Sequence, residues 1–274
     1  MKFTGERLLT DGLSKIAIEH IHRYAFALQY VKNKKVVDIA SGEGYGSNLL
    51  ASVAKNVIGI DISQETVEHA KRKYKKDNLV FMQGAADKIP IDANSIDIVI
   101  SFETIEHHDK HQEMLNEIKR ILKHNGMLII SSPDKLNYSD IPQLVNGFHV
   151  KELYFEEFKS IIEKNFSQSI FLNQKLTYSS LIIHHESNSF YEFFGDFIDI
   201  KKHIGLEKPI YNIAIASQNK IENVFSSSFN GDAVITQILQ QFDNNMNEIL
   251  NSKTYKLGKF IAMPYIIIKK LFNA

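Results

Sequence analysis

Three glycines on alternate residues, Gly42, Gly44 and Gly46, follow an apolar run that carries an acid, Asp38. A second apolar run ends on another acid, Asp61, followed by Ile62. Further along, Glu103, Glu106, His107, His108 and Asp109 crowd into one stretch, and His149 stands in a later loop. Glycine permits positive φ and lets a ligand approach the backbone without meeting a Cβ. An acid ending the second strand of a βαβ unit suits ribose hydroxyls. Histidine is the side chain best placed to move a proton near neutral pH. These residue types point to a nucleotide-like ligand with a general base beside it.

The spacing narrows the ligand. A dinucleotide fingerprint requires Gly-x-Gly-x-x-Gly, and counting from Gly42 the third glycine position is held by Ser47. What stands here is Asp-x-x-x-Gly-x-Gly, with the acid ahead of the loop. That pattern resembles motif I of class I S-adenosylmethionine-dependent methyltransferases. Their cofactor has an ammonium group and no phosphate, so an acid such as Asp38 suits it. The resemblance assigns Asp38, Ala40, Gly42, Gly44, Tyr45 and Gly46 to cofactor binding, with Asp61 and Ile62 after the second strand. It places adenine on the segment after Gly84, where the family commonly has an acid and this chain has Ala85. Ala86 or Asp87 must then read the adenine amino group. Ser101, Phe102 and Glu103 join the site from the fourth strand, Glu103 orienting the methionine ammonium or the base. Arg7, with Arg23 and Tyr24, reaches for the amino-acid carboxylate.

These residues need a scaffold of alternating strands and helices. Apolar runs predict strands at Val36–Ala40, Val57–Ile62, Leu79–Gln83, Ser95–Phe102, Met127–Ser131 and Ile210–Ala216, with a further strand within Gln168–Ile183. Helical periodicity predicts helices over 13–31, roughly 45–54, from Ser63 onward, 110–123 and 151–165. The expected fold is α/β and doubly wound. The family implies a mostly parallel, Rossmann-like seven-stranded sheet whose last strand is antiparallel. In such a sheet ligands bind beyond the carboxyl ends of the strands, where the Glu103–Asp109 cluster falls. The long stretch 135–150 reads as a functional loop over that end.

Residues 1–217 are read as the methyltransferase domain, with an aromatic-rich insertion at 184–209. A polar linker spans 218–231, and a helical C-terminal appendage spans 232–274. In the appendage, Ile235, Leu239, Phe242, Met246 and Ile249 make a short heptad seam that either dimerises or packs back on the domain. Residues 251–274 carry five lysines and no acid among apolar residues, broken by Pro264. Such a tail suits the anionic inner leaflet of a membrane or an acidic partner, or docks on the domain itself. The chain of 274 residues has 32 basic and 32 acidic side chains, so its global charge asks for no nucleic acid. It has no cysteine, which excludes disulfides, thiolate–zinc sites and a thiol nucleophile. With no signal-like N-terminus and no spanning segment, a cytoplasmic place is expected, peripheral to the inner face of the membrane through the tail.

The segment Val99–His108, with Gly5-Glu6-Arg7 and Phe148–Leu153, is similar to a methyltransferase subgroup associated with bacterial surface-polysaccharide assembly. That resemblance implies O-methylation of a sugar hydroxyl. The expected base is His108, with His149 as its rival and His107 in a structural hydrogen-bonding role. No metal is expected, since no dedicated carboxylate spacing is evident. Methylation at nitrogen or carbon of a small molecule or nucleotide sugar, and a non-catalytic cofactor-binding scaffold in a glycan-assembly complex, stand as alternatives. A dinucleotide-dependent nucleotide-sugar oxidoreductase is disfavoured by Ser47 and Asp38.

Overall fold

The structure is a computed structural model that describes residues 16–260 except 178, 187–189, 196–199 and 223. Arg7 with its Gly-Glu-Arg segment, Phe197 and the tail beyond 260 lie outside the described residues.

The elements run in the order the apolar patterning predicts. Helix α1 (Ile16–Val31) precedes β1 (Lys35–Ile39), α2 (Tyr45–Leu50), β2 (Asn56–Asp61), α3 (Gln64–Lys73), β3 (Leu79–Gln83) and β4 (Ile96–Ser101). Then come α4 (His111–Ile121), β5 (Leu122–Pro133), α5 (Phe155–Asn165), β6 (Gln168–Leu176) and β7 (Ser180–His184). The chain continues through β8 (Tyr191–Gly195), β9 (Ile200–Ile204), β10 (Tyr211–Ser217), β11 (Ser227–Phe229) and α6 (Asp232–Asn251).

The main sheet has the order β11-β7-β6-β10-β5-β4-β1-β2-β3. The seven strands from β6 to β3 are those expected from the sequence, with β10 antiparallel to both β5 and β6. The count of seven is corrected to nine, because β7 and β11 add an antiparallel extension beyond β6. The polar stretch 218–231 therefore contributes an edge strand instead of a free linker. Its few apolar residues supply the reason: Ile221 and Val224 join the core beneath the sheet, and Phe229 packs beside Ile18. The aromatic-rich stretch holds a separate hairpin, β8 with β9.

Two apolar layers sandwich the sheet. One gathers Phe26, Ala27, Val31, Val36, Leu50, Val57 and Phe81 under α1 and α2. The other gathers Met114, Leu115, Ile118 and Ile121 of α4 with Phe158 and Ile162 of α5. The spacing in α4 puts one face inward, and all four of its residues are fully buried. Helix α3 begins on Ser63, whose hydroxyl accepts the Thr66 amide at 3.3 Å, and ends on Lys71, Arg72 and Lys73, as the helix dipole favours. No described helix is long and apolar enough to cross a membrane.

Register brings the strand ends level. Ile39 pairs with Ile60 of β2 and with Ser101 of β4. The residues that follow, Ala40, Asp61 and Phe102, thus emerge together where the strand order reverses about β1, the place where such sheets bind ligands.

Gly46 shows how tightly this end is packed. A Cβ there would lie 1.9 Å from the Tyr24 ring, whereas at Gly147 it would meet nothing within 4 Å. Gly46→Ala is expected to destabilise the fold by about 2 kcal/mol or more, by overpacking, and Gly147→Ala to leave it nearly unchanged. Denaturant midpoints of the two variants check this.

Candidate active site

The glycine loop is wound around a buried carboxylate. Asp38 is fully enclosed, accepts from the Ser47 hydroxyl at 2.6 Å and from the Tyr24 hydroxyl at 3.2 Å, and so faces protein on every side. In this arrangement Asp38 positions the loop, tying it to α1 and α2. Ser47, the residue that breaks the dinucleotide pattern, is its closest partner. Burial pushes the Asp38 carboxyl up to about 7, against the lowering effect of both hydroxyl donors.

The three glycines divide their work. Only Gly42, at φ +55, opens on free space. Gly44, at φ +95, is packed on Phe81, and Gly46 lies on Tyr24. The absence of a Cβ at these two lets the loop pack low over the sheet against Phe81 and Tyr24. Ala40 precedes the loop, exposed and at φ +54, and Glu103 sits at φ +52 beyond β4. Non-glycine residues seldom hold this conformation, and such strain gathers at functional sites.

Asp61 receives the Gly42 amide at 3.1 Å on one oxygen and the Ser63 amide at 2.9 Å on the other. Asp61 thus stands at the end of β2, where a βαβ unit brings an acid to ribose hydroxyls. Ile62 beside it is 68% exposed and offers an apolar face for a base. The turn after β3 is tied in by the Gly84 amide on the Asp61 carbonyl, 3.1 Å. Ala86 is half-buried at this turn. The Asp87 carboxylate is engaged by Lys110 at 2.6 Å, and that hydrogen bond pulls its carboxyl below the usual range.

On the other side of β1, Ser101 is fully buried and Phe102 nearly so, its ring edge-on to Tyr24 at 5.2 Å. Both form the floor of the site, where their side chains face protein. Tyr45 also meets Tyr24 edge-on, and its hydroxyl lies 3.0 Å from His20 Nδ1. Glu103 is 17% exposed; the Ser131 hydroxyl donates to it at 2.6 Å, and the Arg23 guanidinium lies 3.9 Å away. Arg23 is fully buried, donates to Gln174 at 2.8 Å and stacks over Tyr211 at 4.7 Å. Burial works against its charge, but Glu103, Tyr211 and Glu19 outweigh that and hold it charged. Its Nε and Nη2 meet no partner among the described residues. A buried cation with open donors beside an acid matches the carboxylate and ammonium of an amino acid. This is the strongest sign that a methionine-bearing cofactor fits here.

The histidines separate. Beyond Glu106 the backbone turns extended, with His108 at φ −151, ψ 167, so adjacent side chains point apart. His107 turns to His149, ring centroids 5.1 Å apart, while His108 turns to His111 at 5.7 Å. Burial and His111 lower the His108 pKa, with Asp87 opposing. His108 therefore stands outside the group formed by the other two. His149 is held by Glu152, Nδ1 to carboxylate at 2.5 Å, by the Asn146 amide on Nε2 at 3.0 Å, and by stacking on Tyr138. Asn146 and Glu152 carry no motif of their own; the i, i+3 spacing of His149 and Glu152 is the signal the sequence offers. The Val150 and Lys151 amides donate to the Glu106 carbonyl at 2.8 and 3.0 Å, which fixes the loop over the strand ends.

The Asp38 geometry carries a pH signature. A carboxyl raised in the fold favours folding while protonated, so its stabilisation is full below the unfolded value near 4 and is lost as pH rises through about 7. Asp38→Asn removes that dependence. The stability of the variant minus that of wild type should rise by up to about 1.4 kcal/mol per pH unit between pH 4 and 7, then level off. His22, drawn down to about 4 by burial and Arg23, shifts stability in the opposite sense but in both proteins alike. Urea unfolding across pH measures the difference.

Residues 37–130 match a family model described as a methyltransferase domain. A probable S-adenosylmethionine-dependent methyltransferase of Mycobacterium tuberculosis is 30% identical over 171 residues, which cover 59% of this chain and 60% of that protein. A ubiquinone biosynthesis O-methyltransferase of Pelagibacter ubique is 28% identical over 121 residues, 44% of this chain and 50% of its own length. The alignments thus span about half to three-fifths of these curated relatives. Among solved structures, an S-adenosylmethionine-dependent methyltransferase of Thermotoga maritima, titled a possible histamine N-methyltransferase, superposes with a TM-score of 0.55 at 17% identity, covering 75% of this chain and 92% of its own. One from Archaeoglobus fulgidus gives 0.53 at 18%, covering 74% and 94%. At these identities the structures show the fold. Residues 37–130 thus match a methyltransferase domain, and the relatives and fold neighbours that align around them are named S-adenosylmethionine-dependent methyltransferases.

Proposed function

We propose that this protein is an O-methyltransferase acting on a sugar hydroxyl of a surface polysaccharide or its lipid-linked precursor. The observation that carries the reading is the group Glu106, His107 and His149, set past the end of β4 next to Glu103. When bound, S-adenosylmethionine supplies a methyl already activated by its positive sulfur. The chain's own task is then to bind, align an oxygen and take its proton. Arg23 and Glu103 hold the amino-acid end, Gly42 leaves the backbone approachable, and Asp61 and Ile62 receive the nucleoside. The proton of the acceptor hydroxyl leaves to the His107–His149 group under the 135–150 loop.

The loop itself favours a lipid-linked acceptor. Leu136, Ile141, Leu144, Val145, Phe148 and Val150 are all exposed on it, six large apolar side chains within 15 residues. The sugar assignment rests on the resemblance of the Val99–His108 and Phe148–Leu153 segments. A second reading, an apolar hydroxyl without a sugar, is favoured by the same loop and by relatives named as ubiquinone and fatty-acid O-methyltransferases. Helix α6 keeps Leu239, Phe242, Met246 and Ile249 exposed at seam spacing, which supports self-association there, while Ile235 packs beside Ile18 and Val234.

His149→Ala and His107→Ala should each lower turnover by about 10²–10⁴, with S-adenosylhomocysteine affinity within a few-fold of wild type. His108→Ala should retain most turnover. Labelled methyl transfer to lipid-linked glycans, nucleotide sugars and free quinols measures both the variants and the acceptor. Full turnover in His149→Ala would remove the proposed site, and transfer to quinols alone would select the second reading.

A further inference from the structure

We propose that Glu106, His107 and His149 form a binding site for one divalent transition-metal ion, of the zinc or manganese kind. One oxygen of Glu106 and one ring nitrogen from each histidine lie within 4.8 Å of one another. That is compact enough for a single ion to draw all three to bonding distance with small side-chain shifts. The arrangement around them fits ligation. His107 Nδ1 lies 3.1 Å from the Phe148 carbonyl, which only a protonated Nδ1 satisfies, so in the neutral ring Nε2 carries the lone pair. His149 Nδ1 meets the Glu152 carboxylate at 2.5 Å, and the Asn146 amide donates to its Nε2, so the same tautomer holds. Metal-ligating histidines characteristically give their other nitrogen to a carbonyl or a carboxylate, and here one does each.

The site is also held together before any ion arrives. The backbone carbonyl of Glu106 takes the amides of Val150 and Lys151, directly after His149. The Glu106 side chain is almost wholly buried, His149 is 8% exposed and His107 is 33% exposed, leaving an approach from the His107 side. Two imidazoles and one carboxylate suit zinc, manganese or iron(II) better than magnesium or calcium, which prefer all-oxygen sets. Three protein ligands leave positions open for water and for an acceptor hydroxyl; with the ion bound the hydroxyl's proton passes to solvent water, because the ion then holds the nitrogens that would otherwise take it. Entry of the ion releases Asn146 from His149 Nε2. The inference deepens the methyl-transfer reading, on which the purpose of the ion rests; the binding of the ion does not depend on it.

Zn²⁺ alone, titrated into the purified, chelator-treated chain against a chromophoric competitor, tests the site. Wild type should take up one equivalent. His107→Gln and His149→Gln should each weaken it at least 100-fold, and His108→Gln should bind as wild type. Glu152→Ala, which keeps all three ligands but frees His149 Nδ1, should weaken binding about 10- to 100-fold; it decides the matter if a ligand variant does not fold. Absence of a saturable equivalent, or equal affinity in the His107 and His149 variants, would overturn the site. A thermal shift with S-adenosylhomocysteine, read on the same samples, tests the methyl-transfer reading separately, so either can fail alone.

Discussion

A carboxylate with no exposure, Asp38, takes hydrogen bonds from the hydroxyls of Ser47 and Tyr24, and the end of the sheet is built around that contact. Ser47 lies in α2 and Tyr24 in α1, so one side chain of β1 ties both helices to the strand. Tyr24 in turn supports Gly46, Tyr45 and Phe102. A buried acid is expensive unless its lone pairs are used. The two hydroxyls meet that requirement, and the place where they do so fixes the glycine loop.

From this anchor the strand ends acquire separate tasks. Asp61 is drawn across to the Gly42 amide, which closes the loop from the β2 side. On the β4 side, Glu103 is held in a left-handed conformation by Ser131. Behind it, the buried Arg23 rests on Tyr211, whose hydroxyl donates to Glu19 at 2.6 Å. Tyr138 bridges Tyr211 to His149 through ring contacts. A continuous set of packed side chains therefore runs from Arg23 beside Glu103 to the histidine group under the loop.

Much of the scaffold was legible in the chain because buried parallel strands are written as apolar runs bounded by turn residues, as in Val57–Ile62 and Leu79–Gln83. Of the two extra strands, β7 falls almost wholly within the apolar stretch Gln168–Ile183, but β11 left no signal, because it is Ser-Ser-Phe at a sheet edge, where polar side chains are tolerated and no alternation develops. Within the site, types and spacing located the loop and both strand-end acids. They did not say which glycine faces ligand and which faces protein, since that depends on Tyr24 and Phe81 arriving from elsewhere. The pair His107-His108 reads as one cluster in sequence; the extended backbone after a short helical turn sends the two rings to opposite neighbours. His149 joins His107 only through the loop's amides on Glu106, a contact across more than 40 residues that no local pattern records.

The central claim is that the strand ends around β1 hold S-adenosylmethionine and not a dinucleotide. Thermal unfolding with about 1 mM S-adenosylhomocysteine, and separately with NAD, tests it most directly. Ligand at about 1,000 times its dissociation constant stabilises by roughly 4 kcal/mol, which at this chain length raises the midpoint on the order of 10 °C. The account predicts that rise with S-adenosylhomocysteine and none with NAD. A rise with NAD alone would contradict it, and with it the reading of the glycine loop.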